Sequence, residues 1–551
     1  MEEFNNKLTR EEKKFIWLVC IILIIITAIP YFYGYLIKGQ DFYYTGINIF
    51  SPGDGPVYFS FIEQVKQGSF LLDDLHTNEL NYTQLFNPFW FLVGLTAKIF
   101  SLPAAWAYHL FRLILTPIFL FSLYKFCSLF LAGQTDKRKK LCFLYSIFAT
   151  GLGGLFYIFF LAGLTPYYFF DMSMDIWVQE SSNFLIILNS PHFIASISLI
   201  IGTFYFFFKS LETKQLKNSI LAGILALLLF SFHPFYIPTI YLIPLAYLAV
   251  LFVINRKIYF QAILSYLILV LISLPSVIYY GYMLWQNVSL QIKNSQNLCL
   301  TPGGAIFFVS YGLGLLLAIF ASVYLLEKER KKLSNYFLFL IVWFWLGILL
   351  LYGPFSFQRR LTEGWQIPLT ILAFWGMLII YDNLKIRWPA IKEWHLKRFL
   401  VIFIFFFCFS NILVYVFDFY YLAAKDEPIY LRLEIKKALD WYAGQTSFQE
   451  TLLTSKLIGN ITPGLIARRV YWGHDIETLN YKWKMEKVLW FFRDNQDDQD
   501  KKDFLSQNRI DYIFYSDREK GMGSFNPAEK DYLQEVYNQD GVGIYRVKLL
   551  N

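Results

Sequence analysis

The chain has 551 residues, of which 56% are hydrophobic, 20% aromatic and only 16% charged. Soluble domains carry about 25% charged residues, so this composition excludes an ordinary soluble protein and predicts a polytopic membrane protein. The net charge of +8 does not indicate a nucleic-acid partner, because the basic residues form short clusters between apolar runs. No basic face interleaved with stacking aromatics is visible in the polar part of the sequence.

Long apolar runs begin near the N-terminus and continue to about residue 423. The first run is too long for the apolar core of a cleavable signal peptide, so we expect it to be a retained signal anchor. Together the runs predict an all-α polytopic membrane domain over residues 1–423 with about eleven transmembrane helices. These runs cover residues 15–37, 104–132, 141–163, 191–208, 218–232, 235–255, 258–283, 304–326, 335–354, 366–383 and 399–423.

The short run from Pro88 to Phe100, which Lys98 interrupts, decides the predicted orientation. Its length is typical of an interfacial or re-entrant segment. If it does not span, every strongly basic linker falls on one side of the membrane, as cytoplasmic loops require. We therefore expect a cytoplasmic N-terminus, a juxtamembrane helix at 88–100 and an extracytoplasmic loop 38–103. The basic linkers are residues 7–14, 137–140, 209–217, 256–257, 328–332 and 385–398.

Beyond residue 423 the long apolar runs stop and charged residues become frequent. This change predicts a small α/β domain over residues 424–551, on the extracytoplasmic side. Short apolar and alternating patterns predict strands at Glu450–Thr454, Arg469–Trp472, Tyr512–Tyr515 and Gly543–Val547. Amphipathic patterns predict helices at Arg432–Tyr442 and Tyr481–Phe492, and Asp494–Asp503 is interpreted as a solvated acidic loop.

Asp54 is the first candidate functional residue, in a Gly/Pro-rich turn before the helical pattern Val57–Gln67. It is interpreted either as a general base or divalent-metal ligand, or as an ordinary helix N-cap. The adjacent carboxylates Asp73 and Asp74 are a weaker metal candidate, because two neighbouring acids in a loop are more often a solvated pair than a metal site.

Arg359 and Arg360 form the second candidate site. By the predicted topology they lie on the extracytoplasmic side, against the orientation rule, so we expect a partner to hold them there. Guanidinium groups match phosphate oxygens bidentately, which favours a lipid phosphate as that partner. The alternative is pairing with Glu363 or with acidic residues of the first loop.

Several polar residues stand at the predicted outer ends of helices, namely His109, Arg112, His192 and His233. A single histidine in such a place is usually a packing residue, whereas an arginine inside an apolar run usually faces a cavity or a counter-ion. Because all four fall on the side predicted for Asp54, we expect some of them, with Glu363, to line a polar cavity.

The sequence has no P-loop, GxGxxG, HExxH or GxSxG element. Nucleotide-driven transport is therefore unsupported, and any sugar donor on the extracytoplasmic side would have to be carried by a lipid. The five cysteines form no CxxC pair, so neither a zinc site nor a disulfide framework is predicted.

At these residues the chain resembles the GT-C superfamily of polytopic glycosyltransferases, which includes mannosyltransferases and aminoarabinose transferases. The resemblance rests on Gly53–Tyr58, Asn189–His192, Phe232–Phe235 and Phe357–Arg360. The chain is most similar to uncharacterised bacterial members, whose tails carry segments like Gly459–Pro463 and Arg468–His474. The resemblance implies a polyprenyl-phosphate-linked sugar donor, with Asp54 as the loop carboxylate and Arg359 or Arg360 at the lipid phosphate.

This chain has one Asp between glycines where many members have paired acids, so we expect no metal cofactor. If the reaction is metal-dependent, Asp54, Asp73 and Asp74 are the predicted ligands.

The resulting hypothesis is an inverting sugar transfer to an acceptor hydroxyl at the extracytoplasmic face of a bacterial plasma membrane. The acceptor is a glycan, a lipid or a protein, and membrane lipids are the other partners. The alternatives are a transporter or flippase of lipid-linked saccharides, and a non-catalytic envelope assembly protein.

Overall fold

The computed structural model describes residues 7–79, 84–328, 335–388, 398, 407–495 and 497–548. Most of these residues are helical. The longer helices of the apolar part are α1 Arg10–Ile37, α2 Asp54–Lys66, α3 Pro88–Ile99, α4 Ala104–Phe130, α5 Asp136–Phe148, α6 Gly153–Leu161, α7 Pro191–Thr213, α8 Leu216–Phe232, α9 Ile237–Asn255, α10 Phe260–Gln286, α11 Val288–Gln296, α12 Gly304–Lys328, α13 Asn335–Leu351, α14 Thr362–Arg387 and α15 Phe409–Ala424. Short helices at Tyr168–Asp171, Met174–Trp177 and Asn183–Asn189 lie between α6 and α7.

The prediction of a multi-pass membrane protein is confirmed. Seven of the described helices are long and apolar enough to cross a membrane, and the bent pair α5 and α6 raises this number to eight if the pair forms one span. The runs at 218–232 and 335–354 form the 17-residue helices α8 and α13, one residue short of that length criterion. The last run forms the 16-residue α15, and its first residues, 399–406, lie outside the described residues.

The surfaces of these helices also require a lipid environment. Helix α1 exposes Trp17, Ile21, Ile25 and Phe32, with between 50% and 65% of each side chain accessible. A row of large apolar side chains along one helix would be unstable in water and is stable against lipid chains.

The described chain divides into two compact units. The first, here called the helical unit, consists of Met1–Ala28, Arg112–Gly281 and Leu298–Phe417. The second, here called the mixed unit, consists of Ile29–Phe111, Tyr282–Asn297 and Asp418–Asn551. The mixed unit thus joins most of the predicted loop 38–103 to the tail, whereas the predicted domain boundary at 423/424 stays a prediction.

The mixed unit contains two sheets. Strands β1 Phe42–Tyr44 and β2 Tyr430–Arg432 pair antiparallel and connect the first loop to the tail. A five-stranded sheet has the order β4-β3-β5-β7-β6, in which β3 is parallel to β4 and β5 while β7 is antiparallel to β5 and β6. Its strands are β3 Thr451–Leu453, β4 Arg469–Val470, β5 Tyr512–Tyr515, β6 Leu533–Gln539 and β7 Val542–Val547.

Helices cover the larger sheet because alternate strand residues point to opposite faces. Leu452 and Phe514 belong to one buried cluster with Ile435 and Leu439, whereas Leu453 and Ile513 belong to another with Phe491. The tail helices are α16 Leu433–Gln445, α17 Lys456–Ile466, α18 Tyr481–Arg493, α19 Asp498–Gln507 and the short Asp517–Lys520.

The predicted α/β character of the tail is confirmed, and both predicted helices and all four predicted strands are present within a few residues. One prediction was wrong. Residues 498–503 of the predicted acidic loop belong to the helix Asp498–Gln507, and Lys501 is buried and paired with Asp494. Neither α17, which contains Gly459 and Asn460, nor the strand β6 was predicted.

The ambiguous segment at 88–100 is the 12-residue helix α3. The Asn87 side chain caps it by accepting from the Trp90 N–H, and Pro88 occupies its first position. It packs closely on α2, because a Cβ at Gly94 would lie 2.5 Å from Val65. Its length is about half of what a membrane crossing needs.

Candidate functional site

Asp54 is the first residue of α2, and Gly53 occupies the N-cap position without a side-chain cap. The interpretation of Asp54 as the N-cap was therefore wrong. Its carboxylate lies in the first turn, where the helix dipole favours negative charge, and its side chain is 57% exposed. The carboxylate is thus held on a rigid element and remains accessible to a ligand.

His474, in the loop after β4, faces this carboxylate. Its Nε2 lies 3.4 Å from Asp54 Oδ1, and its ring is buried. Its Nδ1 accepts the backbone N–H groups of Ile476 and Glu477, each at 3.1 Å. A ring nitrogen that accepts carries no proton, so the neutral ring has its proton on Nε2, towards Asp54.

A second histidine lies against the first. The rings of His76 and His474 are 5.9 Å apart at 70°. His76 Nε2 donates to the Asn460 carbonyl oxygen at 3.1 Å, and its Nδ1 is 3.7 Å from Asp74. Burial lowers the pKa of His76, which the hydrogen bond and charge of Asp74 oppose only in part. His76 is therefore uncharged near neutral pH.

The carboxylate of Asp74 is paired with a cation. Burial raises the pKa of Asp74, but Lys293 and His76 outweigh this effect and hold that pKa below its usual range. Lys293 Nζ lies 3.3 Å from Asp74 and also pairs with Glu477. Asp54, His474, His76, Asp74 and Lys293 together form what we call the histidine cluster.

Asp73 and Asp74 do not fit a metal site. Arg469, which is 2% exposed, pairs with Asp73 and donates to the backbone carbonyls of Asp74, Thr77 and Glu79. Both carboxylates are thus already neutralised, by Arg469 and Lys293. Within the described residues no group of three or more His, Cys, Asp and Glu side chains is arranged to hold a metal ion.

Asn460 connects the tail to the turn before Asp54. Its side-chain nitrogen donates to the carbonyl oxygens of Pro52 and Gly53, at 3.3 and 3.4 Å. Helix α17 approaches closely, since a Cβ at Gly464 would lie 2.6 Å from the Pro56 carbonyl. The tail segments 459–463 and 468–474 therefore assemble around Asp54. Both segments are recognisable in the sequence, but no local pattern there predicts that His474 or Asn460 lies beside Asp54.

Arg359 and Arg360 belong to the helical unit, in a 3₁₀ turn at Gln358–Leu361. The Arg359 backbone N–H donates to the Cys299 carbonyl at 2.8 Å, which fixes the turn. Its side-chain Nε is buried and has no hydrogen-bond partner among the described residues. The Arg360 guanidinium lies 4.7 Å from the Phe235 ring centre. A guanidinium with an unused buried donor is suited to an anionic ligand.

Glu363 follows these arginines where α14 is distorted. Glu363 and Gly364 have non-helical backbone angles, and the φ of +80° at Gly364 favours glycine. Glu363 is fully buried and accepts from the Tyr236 hydroxyl. Unwound backbone at membrane depth is tolerated where it is buried in protein or lines a cavity.

His192 and His233 lie beside each other, with ring centres 5.1 Å apart, and His233 Nδ1 is 2.9 Å from the Ser196 hydroxyl. The His233 ring also contacts the rings of Phe235 and Tyr236, which in turn contact Arg360 and Glu363. The structure thus gathers His192, His233, Arg360 and Glu363 in the helical unit. Arg112, also in this unit, is buried and donates to the Ile187 carbonyl at 3.0 Å. His109 belongs to the mixed unit and donates to the Gly46 carbonyl at 2.8 Å.

No protein-family model and no curated protein sequence matches the chain. Solved structures do match its fold. The apo oligosaccharyltransferase from Archaeoglobus fulgidus superposes with a TM-score of 0.56 at 11% identity, over 96% of this chain and 74% of that one. The oligosaccharyltransferase AglB from the same organism, in complex with an inhibitory peptide and a dolichol-phosphate, gives a TM-score of 0.54 at 11% identity, over 92% and 70%.

The arabinofuranosyltransferase AftD from Mycobacteria matches 99% of this chain with a TM-score of 0.55 at 10% identity. This chain spans 42% of the AftD chain. These proteins are GT-C glycosyltransferases, so the chain has the GT-C fold, as the sequence resemblance implied. At such low identity the likeness establishes the fold alone.

Proposed function

We propose that this protein is a membrane glycosyltransferase that transfers one sugar from a polyprenyl-phosphate-linked donor to an acceptor hydroxyl. Its location is the plasma membrane of a bacterium, with the N-terminus in the cytoplasm and the mixed unit's tail outside. The observation that carries the proposal is the accessible Asp54 carboxylate, which α2 holds rigidly and the Nε2–H of His474 faces. The shared fold with transferases, one of them solved with dolichol-phosphate, supports the donor class.

In this reaction Asp54 acts as the general base. It takes the proton of the acceptor hydroxyl while the acceptor oxygen forms a bond to the anomeric carbon. The bond from that carbon to the phosphate oxygen breaks, and its electron pair leaves with the phosphate. Attack opposite the leaving phosphate inverts the anomeric configuration.

Arg359 and Arg360 bind the phosphate of the donor and stabilise the negative charge that it gains. The buried, unused Nε of Arg359 supports this role. Because a phosphate leaves as a stable anion, the reaction needs no general acid. Asp73 and Asp74 are engaged by Arg469 and Lys293, so the proposed steps use neither of them as a metal ligand.

A transfer assay tests this proposal. The full chain, reconstituted in vesicles, is incubated with radiolabelled polyprenyl-phosphate monosaccharides and a total envelope extract as acceptor. The proposal predicts that label moves to the acceptor and that an equal amount of free polyprenyl phosphate appears. Movement of intact donor between leaflets without cleavage would instead identify a flippase, and no turnover of any donor would contradict an enzyme.

A further inference from the structure

A cleft in the mixed unit lies beside the turn that carries Asp54. Its volume is about 520 Å³, within the range of small-molecule sites, and Pro52, Gly53 and His474 form one of its sides. The start of α17 and the short helix Asp517–Lys520 contribute the other walls. We infer that this cleft binds the acceptor, and that the acceptor is a glycan. This inference rests on the proposed function, which leaves the acceptor class open.

Two residues that line the cleft each have a buried polar atom without a hydrogen-bond partner among the described residues. The Ser455 hydroxyl belongs to a residue that is 4% exposed, and the Asn460 side-chain oxygen to one that is 8% exposed. The orientation of the Asn460 amide is fixed, because its nitrogen faces two carbonyl oxygens that only accept. A buried polar atom without a hydrogen bond costs free energy, so a ligand that supplies these hydrogen bonds gains binding free energy.

The remaining walls match a sugar. Lys456 and Asp475 pair at 2.7 Å and are each about half exposed, which places a donor and an acceptor side by side for neighbouring hydroxyls. Leu457 and Met522 supply apolar surface for the C–H face of a sugar ring. A hydroxyl both donates and accepts, so a polyhydroxylated ligand satisfies Asn460, Ser455 and this pair together.

A peptide acceptor fits this cleft less well. Extended peptides are commonly held by the edge of a β-sheet, through main-chain hydrogen bonds. The described residues that line the cleft belong to turns, loops and helix starts, and none belongs to a strand. The lining therefore favours ligand side groups such as hydroxyls over an extended main chain.

Saturation-transfer NMR on the full chain in nanodiscs tests the inference without any turnover. The probes are mannotriose, galactotriose, arabinofuranotriose and chitotriose, with a Ser/Thr-containing hexapeptide for comparison. We expect at least one trisaccharide to bind and the hexapeptide not to bind. Met522→Trp, which fills the cleft, should abolish the signal, and Ser455→Ala should weaken binding about fivefold.

Matched controls make the same chemical changes outside the cleft. Leu489→Trp and Ser524→Ala alter exposed residues that do not line it and should bind like the wild type. Thermal unfolding establishes whether each variant is folded. If Met522→Trp does not fold, Ser455→Ala still decides the test. Three results would each overturn the inference. They are equal trisaccharide signals from all variants, binding of the hexapeptide that Met522→Trp abolishes, and no binding of any trisaccharide.

The outcome is separable from that of the proposed function. Asp54→Asn should still bind the trisaccharide although it no longer transfers sugar. If the wild type transfers sugar while the cleft variants keep the wild-type acceptor KM, the inference fails and the proposed function stands. If Asp54→Asn transfers sugar at the wild-type rate, the proposed function fails whatever the cleft binds.

Discussion

Replacement of His474 by phenylalanine tests whether the histidine cluster serves the reaction. His474→Phe keeps a buried ring of similar shape but removes the Nε2–H that faces Asp54 at 3.4 Å. Hydrogen bonds to charged groups contribute about 1.5–3 kcal/mol. This contact is longer than an ideal one and the carboxylate is 57% exposed, so water competes and about 1 kcal/mol is a realistic value. We therefore expect kcat/KM for the acceptor to fall about fivefold.

The assay compares initial transfer rates of His474→Phe with those of Thr478→Val. The Thr478 hydroxyl accepts the N–H groups of Gly473 and His474, at 3.1 and 3.2 Å, and donates to the His76 carbonyl. Thr478→Val thus loosens the same loop but leaves the imidazole in place. If both variants lose the same stability and the same activity, loop packing explains the effect and the reasoning about Nε2 is refuted.

Three further predictions concern phosphate binding, the loop clamp and pH. Arg359→Ala combined with Arg360→Ala should raise the donor KM at least tenfold, because two charge-assisted contacts are lost. The control Arg387→Ala should leave the donor KM unchanged. An unchanged donor KM in the double variant would contradict the phosphate role. Arg469→Leu should lower the free energy of unfolding by about 3 kcal/mol, since Asp73 loses its ion pair with a buried arginine and three carbonyls lose a donor. The partly exposed Arg432→Leu should cost less than about 1 kcal/mol in the same thermal unfolding experiment. Burial raises the pKa of Asp175 from its usual 3.8 to about 6, against hydrogen bonds from Ser173, Ser410 and Gly153. The folded state therefore binds a proton more tightly than the unfolded one, and its advantage is lost as the pH rises through 6. Wild type should lose about 2 kcal/mol more stability than Asp175→Asn between pH 4 and pH 7.5, and parallel curves would exclude Asp175 as the cause.

The membrane helices and the regular tail elements were predictable because they depend on local patterns. The strand Tyr512–Tyr515 is a short apolar run, and Tyr481–Arg493 has helical periodicity, so sequence alone located both. Helix α17 was missed because Gly459, Pro463 and Gly464 lower its intrinsic propensity. Close packing explains two of these residues, since a Cβ at Gly459 would lie 2.0 Å from the Trp472 carbonyl oxygen and one at Gly464 would strike Pro56.

The candidate site was only partly predictable for a related reason. Asp54 and the arginine pair stand out by residue type in an unusual place, so sequence analysis found them. His474 is separated from Asp54 by about 420 residues, and its role depends on a tautomer that two backbone N–H groups fix. No local pattern in the sequence encodes such a contact.

The most direct test of the central claim is the transfer rate of Asp54→Asn relative to the wild type. The amide keeps the size of the side chain but cannot take the acceptor proton, and general-base catalysis contributes about 10²–10⁴-fold. The account predicts a loss of at least a hundredfold in kcat with an unchanged unfolding temperature, while Asp540→Asn, an exposed control in the β6–β7 turn, transfers sugar normally. Wild-type transfer by Asp54→Asn would contradict the account.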